Sequence, residues 1–370
     1  MSIEENKSDF GAGLLRWYRR VRRDLPWRRS RDPYHIWVSE IMLQQTRVDT
    51  VIPYFNRFMD RFPTVGHLAE APEEDVLKHW EGLGYYSRAR NLQSAAREVV
   101  EEYGGVMPRT KQEVAGLKGV GPYTTGAILS IAYNQPEPAV DGNVMRVLSR
   151  YFCLEDDIAR PATRIGLEEL AKELIPEGEA ADFNQALMEL GAMVCTPKSP
   201  SCTECPVGEL CAGRLQGKER ELPVKTKAKK ARPVFRFAAL IAGTGSHAGK
   251  VLVRQRPETG LLARMWELPH IEVPDEEAWD EPAAGIPLLE DGLAEDGVRI
   301  KATERIAGEA QHIFTHLVWN IKVLEAAALD EQYVADRTAY RWVGAEEFED
   351  YAWPNVFRKL LTEYFIHQIK

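Results

Sequence analysis

Cysteine is scarce in this chain, at five in 370 residues. That excludes a small disulfide-stapled scaffold, which uses bridges to replace a missing core. With 44% hydrophobic residues, a chain of this length buries ordinary cores instead. Long apolar runs are missing too, and none approaches the roughly 20 residues of a membrane span. The opening MSIEENKSDF lacks the basic stretch followed by an apolar one that an export signal needs. The expectation is a monomeric protein of the bacterial cytoplasm, with no membrane partner. Positive charge is in deficit, with 47 Lys+Arg against 56 Asp+Glu and a net charge of -9. No internal repeat is evident, so a solenoid is not expected.

The deficit is uneven. Residues 1–230 carry 32 Lys+Arg and 33 Asp+Glu, whereas residues 231–370 carry 15 and 23. Near the start, Arg16, Arg19, Arg20, Arg22, Arg23, Arg28, Arg29 and Arg31 crowd together, interleaved with Trp17, Tyr18 and Trp27. Such a patch suits a phosphate backbone despite an acidic total, and equally suits a solvated helix face.

What cysteine there is falls mostly in one window. Cys195, Cys202, Cys205 and Cys211 are spaced C-x6-C-x2-C-x5-C. In a reducing compartment, clustered thiols point to metal rather than to disulfides. Structural zinc usually takes paired C-x2-4-C knuckles, and only Cys202 and Cys205 form one. Four-thiolate iron–sulfur ligation fits better, with zinc as the alternative. Cys153 stands apart and is expected to be a buried structural thiol.

Composition divides the chain. Residues 1–216 show helical periodicity between turn signals such as Phe62-Pro63, Ala71-Pro72 and Gly104-Gly105. Residues 217–233 form a basic, solvated linker that ends at Pro233. Residues 234–370 read as α+β, with strands expected at Val234–Ala242, Lys250–Gln255, His316–Val323 and Thr338–Val343.

Three segments carry chemistry. In Leu117–Ser130 (LKGVGPYTTGAILS), Gly119 and Gly121 bracket Val120 before a helical pattern, and a helix start of that kind binds phosphate. It is also what an ordinary turn between helices looks like. In His35–Val48 (HIWVSEIMLQQTRV), Glu40 is the only acid in an apolar run, with Ile36 and Leu43 on its face. Desolvation there raises a carboxyl pKa and suits a general acid, unless an arginine pairs with it. In Pro138–Val147 (PAVDGNVMRV), Asp141 stands at an N-cap position.

The order of hairpin, aspartate motif and four-cysteine window resembles the helix-hairpin-helix DNA glycosylase superfamily in its iron–sulfur branch. SEIMLQQTRV further resembles the MutY family of adenine DNA glycosylases. The resemblance implies a multidomain chain: an all-α helix-hairpin-helix domain with a [4Fe–4S] cluster loop, then an α+β Nudix-like (MutT-like) domain. It implies a [4Fe–4S] cluster on the four cysteines, and Glu40 as the acid that protonates adenine. Asp141 would face the sugar, with Asn143 beside it. Tyr123 stands where endonuclease III-type enzymes carry a Schiff-base lysine, so the implied enzyme removes the base without cutting the strand. Gln185, Arg28 and Trp27 match residues of the adenine pocket. Gln45 and Tyr85 match residues that wedge into the duplex, and Lys118, Gly119, Val120 and Gly121 match the phosphate-gripping turn. The family has Pro where this chain has Lys118.

Arg254–Val273 resembles the front of a Nudix fold. The glutamate-rich string R-E-x-x-E-E that holds Mg2+ in Nudix hydrolases is missing, and LLEDGLAEDGV stands roughly in its place. Recognition rather than hydrolysis is therefore implied. Phe314, Thr315 and His316 stand where the family reads 8-oxoguanine with Phe-Ser-His. The implied partner is duplex DNA with adenine opposite 8-oxoguanine or G. The alternatives are an endonuclease III-type glycosylase/lyase and a non-catalytic lesion-binding iron–sulfur protein.

Overall fold

Helical periodicity in the first part of the chain becomes helices packed on a shared apolar core. The computed structural model describes residues 3–227, 230–330 and 339–369. The chain folds into two compact units. The first runs up to Ala71 and resumes from Arg90 to Lys227; the second takes Pro72–Ala89 and the chain from residue 230 onward.

In the first unit the helix Pro33–Leu43 starts where Asp32 accepts the backbone N–H groups of Tyr34 (2.8 Å) and His35, with Pro33 in the first turn. Nearly all its side chains from Tyr34 to Met42 are buried, so it has no solvent face. It packs on Pro122–Tyr133, which is likewise buried from Thr124 to Ile131. The helix Ala180–Met193 is central: it touches Ile3–Val21, Pro122–Tyr133 and Gly142–Tyr151. Phe10, Leu14 and Tyr18 meet Val144, Val147, Leu148, Phe183, Leu187 and Leu190 in one core, and Cys195, Cys205 and Cys211 pack at its edge.

Seven strands in two sheets shape the described part of the second unit: β1 (Arg232–Ile241), β2 (Lys250–Gln255), β3 (Trp266–Glu267), β4 (His270–Val273), β5 (Ile300–Ile313), β6 (Leu317–Ala328) and β7 (Tyr340–Gly344). One sheet has the order β4-β1-β6-β5, with β1 parallel to β6 and the other pairs antiparallel; the other has the order β3-β2-β7. Side chains alternate across β1 with period two. Phe237, Ala239 and Ile241 meet Leu289 and Leu293 of the helix Pro282–Glu295, whereas Val234, Ala238 and Leu240 share a core with Trp319, Phe357 and Leu361. That helix contains LLEDGLAE, so a helix does occupy the place where the glutamate string is lacking.

The strand β2 has its expected bounds. The strand β5 was not expected: beyond Ala302 its residues lie mostly in solvent, so it carries no apolar alternation. Thr338, named in the expected last strand, lies outside the described residues, and β7 begins at Tyr340. Cys153 differs from expectation too. It is half-buried, sits just after the helix Gly142–Tyr151 with φ 53°, and reaches Gln216 Oε1 at 3.4 Å. The left-handed backbone there turns it out of the core.

Candidate active site

A cavity of about 610 Å³ opens in the first unit, within the usual range for a small-molecule site. Trp27, Arg28, Glu40, Gln45, Tyr123, Asp141, Asn143 and Gln185 all line it. Residues spread from position 27 to position 185 are thus brought to one recess. Glu40 is 5% exposed, and burial pushes its carboxyl from 4.5 up to about 7. Nearby Asp141 raises it further, while a hydrogen bond from the Tyr123 hydroxyl and the charge of Arg28 pull it down. Burial and the two carboxylates keep Tyr123 protonated, so it donates. A carboxyl poised near neutrality is what a general acid needs.

Asp141 caps the helix Gly142–Tyr151. Its Oδ1 accepts the Val144 N–H at 2.7 Å, and its Oδ2 accepts the Asn143 side-chain amide at 2.8 Å. Burial raises its pKa, and these hydrogen bonds oppose that. Asn143 is held in turn by Arg146 Nη2 at 2.8 Å, which also donates to Gly191 O at 2.8 Å, while Arg146 Nε donates to Cys195 O at 2.8 Å. Two glycines let these elements close up. A Cβ on Gly126 would lie 1.9 Å from Pro138 O, and one on Gly191 would lie 2.6 Å from Asn143 Cβ.

Glu189 also lines the cavity and was not foreseen. It accepts from Arg23 (Nε 2.8 Å, Nη2 2.7 Å) and from Arg28 (Nη1 3.2 Å, Nη2 2.9 Å). Burial alone would raise its pKa; these bonds outweigh that and hold it at about 2. The signal for it was present, an acid within the apolar run FNQALMELGAMVC, as for Glu40. Gln185 is half-buried, with its amide on Ala181 O at 3.1 Å. Trp27 is buried edge-on to Phe55, with centroids 5.5 Å apart.

Apart from Gln45, which lines the cavity, the remaining expected residues lie outside this cluster. Lys118 and Gly119 are exposed on the turn, whereas Val120 is buried and anchors it. Gly119 adopts φ 78°, and a Cβ there would meet Asn91 Cβ at 2.7 Å. Gly121 leads into the helix Pro122–Tyr133 without a side-chain cap. Gln45 (φ 56°) and Tyr85 (φ 48°) are both exposed and left-handed, a conformation uncommon for residues other than glycine. In the second unit the Tyr85 ring lies under Arg88 at 5.5 Å, and its hydroxyl is 3.4 Å from Thr315 Oγ1. Phe314, Thr315 and His316 form the turn between β5 and β6, with Phe314 against Trp319 at 4.9 Å.

Cys195, Cys202, Cys205 and Cys211 line one small recess beside Arg150 and are free of disulfides. Four thiols lining one recess match the four-cysteine ligation of an iron–sulfur cluster. Burial raises the Cys205 thiol to about 11, and Arg150 Nη1 donates to Cys195 Sγ at 3.3 Å.

The HhH-GPD superfamily base excision DNA repair protein model matches residues 38–177, and the NUDIX domain model matches residues 241–363. The iron-sulfur binding domain of endonuclease III matches residues 195–211, and the chain carries a [4Fe–4S] cluster there. Adenine DNA glycosylase of Homo sapiens is 36% identical, over 96% of this chain and 74% of that protein. That of Schizosaccharomyces pombe is 33% identical, over 92% and 86%. Among solved structures, a thermostable thymine-DNA glycosylase is 31% identical with a TM-score of 0.53, covering 58% of this chain and 98% of that one. With a helical unit, an iron–sulfur segment and relatives matched over nearly its full length, the chain belongs to the adenine DNA glycosylase family.

Proposed function

We propose that this enzyme is a monofunctional glycosylase that hydrolyses the N-glycosidic bond of adenine opposite 8-oxoguanine, or opposite G, in duplex DNA. The observation that carries the reading is one cavity holding a buried carboxyl near neutrality, Glu40, and a second carboxylate pinned by two hydrogen bonds, Asp141. The flipped nucleotide enters the cavity, at a cost in unpairing that a mispair reduces. Glu40 donates its proton to N7 of the base. The C1′–N9 bond then breaks, its electron pair passes to the base, and adenine leaves neutral. Asp141 stabilises the oxocarbenium ion, by charge or as a transient C1′ ester, as the second carboxylate does in glycoside hydrolysis. Water adds at C1′, and its proton returns to the emptied carboxylate.

Tyr123 keeps the Glu40 carboxyl oriented and supplies no amine. No lysine lines the cavity among the described residues, which supports base release without strand cleavage. Cys195, Cys202, Cys205 and Cys211 would hold the cluster, whose ligation cross-links the loop beside the helix Gly142–Tyr151. Gln45 and Tyr85 wedge into the duplex, the Lys118–Gly121 turn grips its backbone, and the Phe314–His316 turn reads the opposite base. Single-turnover base release from an A:8-oxoguanine duplex tests the reading. Glu40→Gln should lower the rate by about 10²-fold or more. Release at the wild-type rate by that variant overturns the acid assignment, and borohydride trapping of an enzyme–DNA adduct overturns monofunctional action.

A further inference from the structure

Glu189 is the one acid of the cavity that the proposed chemistry leaves idle. It lies four residues after Gln185 on the helix Ala180–Met193, hence on the same face. Its side chain is 1% exposed. Five donors meet it: Oε1 takes Arg23 Nε (2.8 Å), Arg23 N (3.2 Å) and Arg28 Nη1 (3.2 Å), and Oε2 takes Arg23 Nη2 (2.7 Å) and Arg28 Nη2 (2.9 Å). A carboxylate so saturated has no lone pair left for a substrate and no proton to give.

We infer that Glu189 is a positioning residue: it fixes the Arg28 guanidinium at the cavity wall and screens Glu40 from the charge of Arg23 and Arg28. The inference rests on the cavity being the adenine pocket. Arg28 is held by little else, namely a 3.3 Å bond to Arg23 O and a face-on approach to Tyr18 at 5.7 Å. The groups acting on Glu40 are Tyr123, Asp141 and Arg28, and Arg23 and Glu189 line the same cavity, with Arg23 and Arg28 both bonded to Glu189. Two guanidiniums on one carboxylate leave a single net positive charge near the acid. Without the carboxylate there are two, and a cation beside a carboxyl favours its ionised form. Glu40 would then lose its proton at lower pH, just where the reaction needs it retained.

The test is the pH profile of single-turnover adenine release by the full-length, cluster-loaded enzyme. Glu189→Gln should move the alkaline limb to lower pH by about half a unit or more. The rate deficit should therefore be larger above neutrality than in mild acid. Glu189→Asp, which keeps the charge on a shorter arm, should leave the limb in place and lower the plateau. With Arg28→Gln also present, Glu189→Gln should move the limb less than it does alone. A uniform loss at every pH, an unmoved limb, or full additivity with Arg28→Gln overturns the inference. Should Glu189→Gln not fold, a Glu189→Asp limb that shifts despite the retained charge overturns it equally. A wild-type enzyme that releases no adenine overturns the pocket reading itself, which separates the two failures.

Discussion

Two buried carboxyls in one cavity are pushed in opposite directions, and the difference is set by what surrounds each. Glu40 has one hydroxyl donor and a nearby acid, and its pKa rises from 4.5 to about 7. Glu189 has two guanidiniums and falls from 4.5 to about 2. Divergent environments of this kind separate a proton donor from a permanent anion. The same shifts have opposite signs in stability. A carboxyl raised in the folded state contributes stability that is fully present below its unfolded pKa and is lost as pH rises through the folded one. For Glu40 the loss runs between 4.5 and about 7. Glu40→Gln should thus be more stable than wild type by about 3 kcal/mol at mildly alkaline pH, and the gap should close in acid. For Glu189 the contribution is present above 4.5 and fades only as pH falls toward about 2. Glu189→Gln should therefore be the less stable variant at neutrality, by about 3 kcal/mol, because it strands two half-buried cations beside a buried side chain. Denaturant melts of both variants at mildly acidic and mildly alkaline pH check this crossed pattern; two variants shifting in the same direction would contradict it.

At the scale of elements, the site depends on close approaches that only glycine permits. The segment Pro138–Asp141 crosses the helix Pro122–Tyr133 at Gly126, where a Cβ would lie 1.9 Å from Pro138 O and 2.7 Å from Pro138 C. Both obstacles are backbone, so no rotamer change relieves them. Gly126→Ala should cost about 2–4 kcal/mol and displace the Asp141 cap. Gly166, exposed in the helix Pro161–Glu173 with nothing within 4 Å of its Cβ position, is the control. Gly166→Ala should gain about 0.5–1 kcal/mol from helix propensity alone. Thermal melts and base-release rates of the two variants read the contrast; a benign Gly126→Ala would place the crossing elsewhere. Local pattern makes Gly119 and Gly121 visible, since they start a helix, whereas Gly126 sits mid-helix and its reason is a partner twelve residues away. The acid at position 40 is legible because a lone carboxylate in an apolar run is unusual. Glu189 sends the same signal, but its arginines lie about 160 residues upstream and no spacing rule connects them. The strand β5 was illegible for the converse reason: its solvent-facing residues erase the alternation that marks a strand.

At the scale of the whole molecule, composition suggests a boundary near residue 233, and the packing draws a different line. Pro72–Ala89 groups with the C-terminal unit although it is flanked on both sides by residues of the first. Its anchor is Glu81, whose side chain is 10% exposed. Glu81 Oε1 accepts the Trp353 backbone N–H at 2.8 Å, and Oε2 accepts Arg358 Nη1 at 2.6 Å and Lys78 Nζ at 3.1 Å. Lys78 also donates to Tyr351 O at 3.0 Å. The same segment contains Tyr85, the exposed left-handed residue beside Thr315. A neutral, shortened side chain at position 81 leaves the Trp353 N–H without its acceptor and takes one bond from each of two cations that still reach Glu349, a loss of about 1–3 kcal/mol. Local stability should fall where those partners sit and not elsewhere. In Glu81→Ala, amide hydrogen exchange in the helix Asn355–Ile369 should accelerate by about tenfold or more, since each tenfold is about 1.4 kcal/mol. Exchange in the helix Ala180–Met193, in the other unit, should keep its wild-type rate. Equal acceleration in both helices would mean that the chain opens as one cooperative body. No acceleration in either would mean that the Glu81 bonds add nothing to the packing around Trp353. The expected outcome, a loss confined to one unit, makes a segment embedded in the helical half of the sequence a structural part of the C-terminal half.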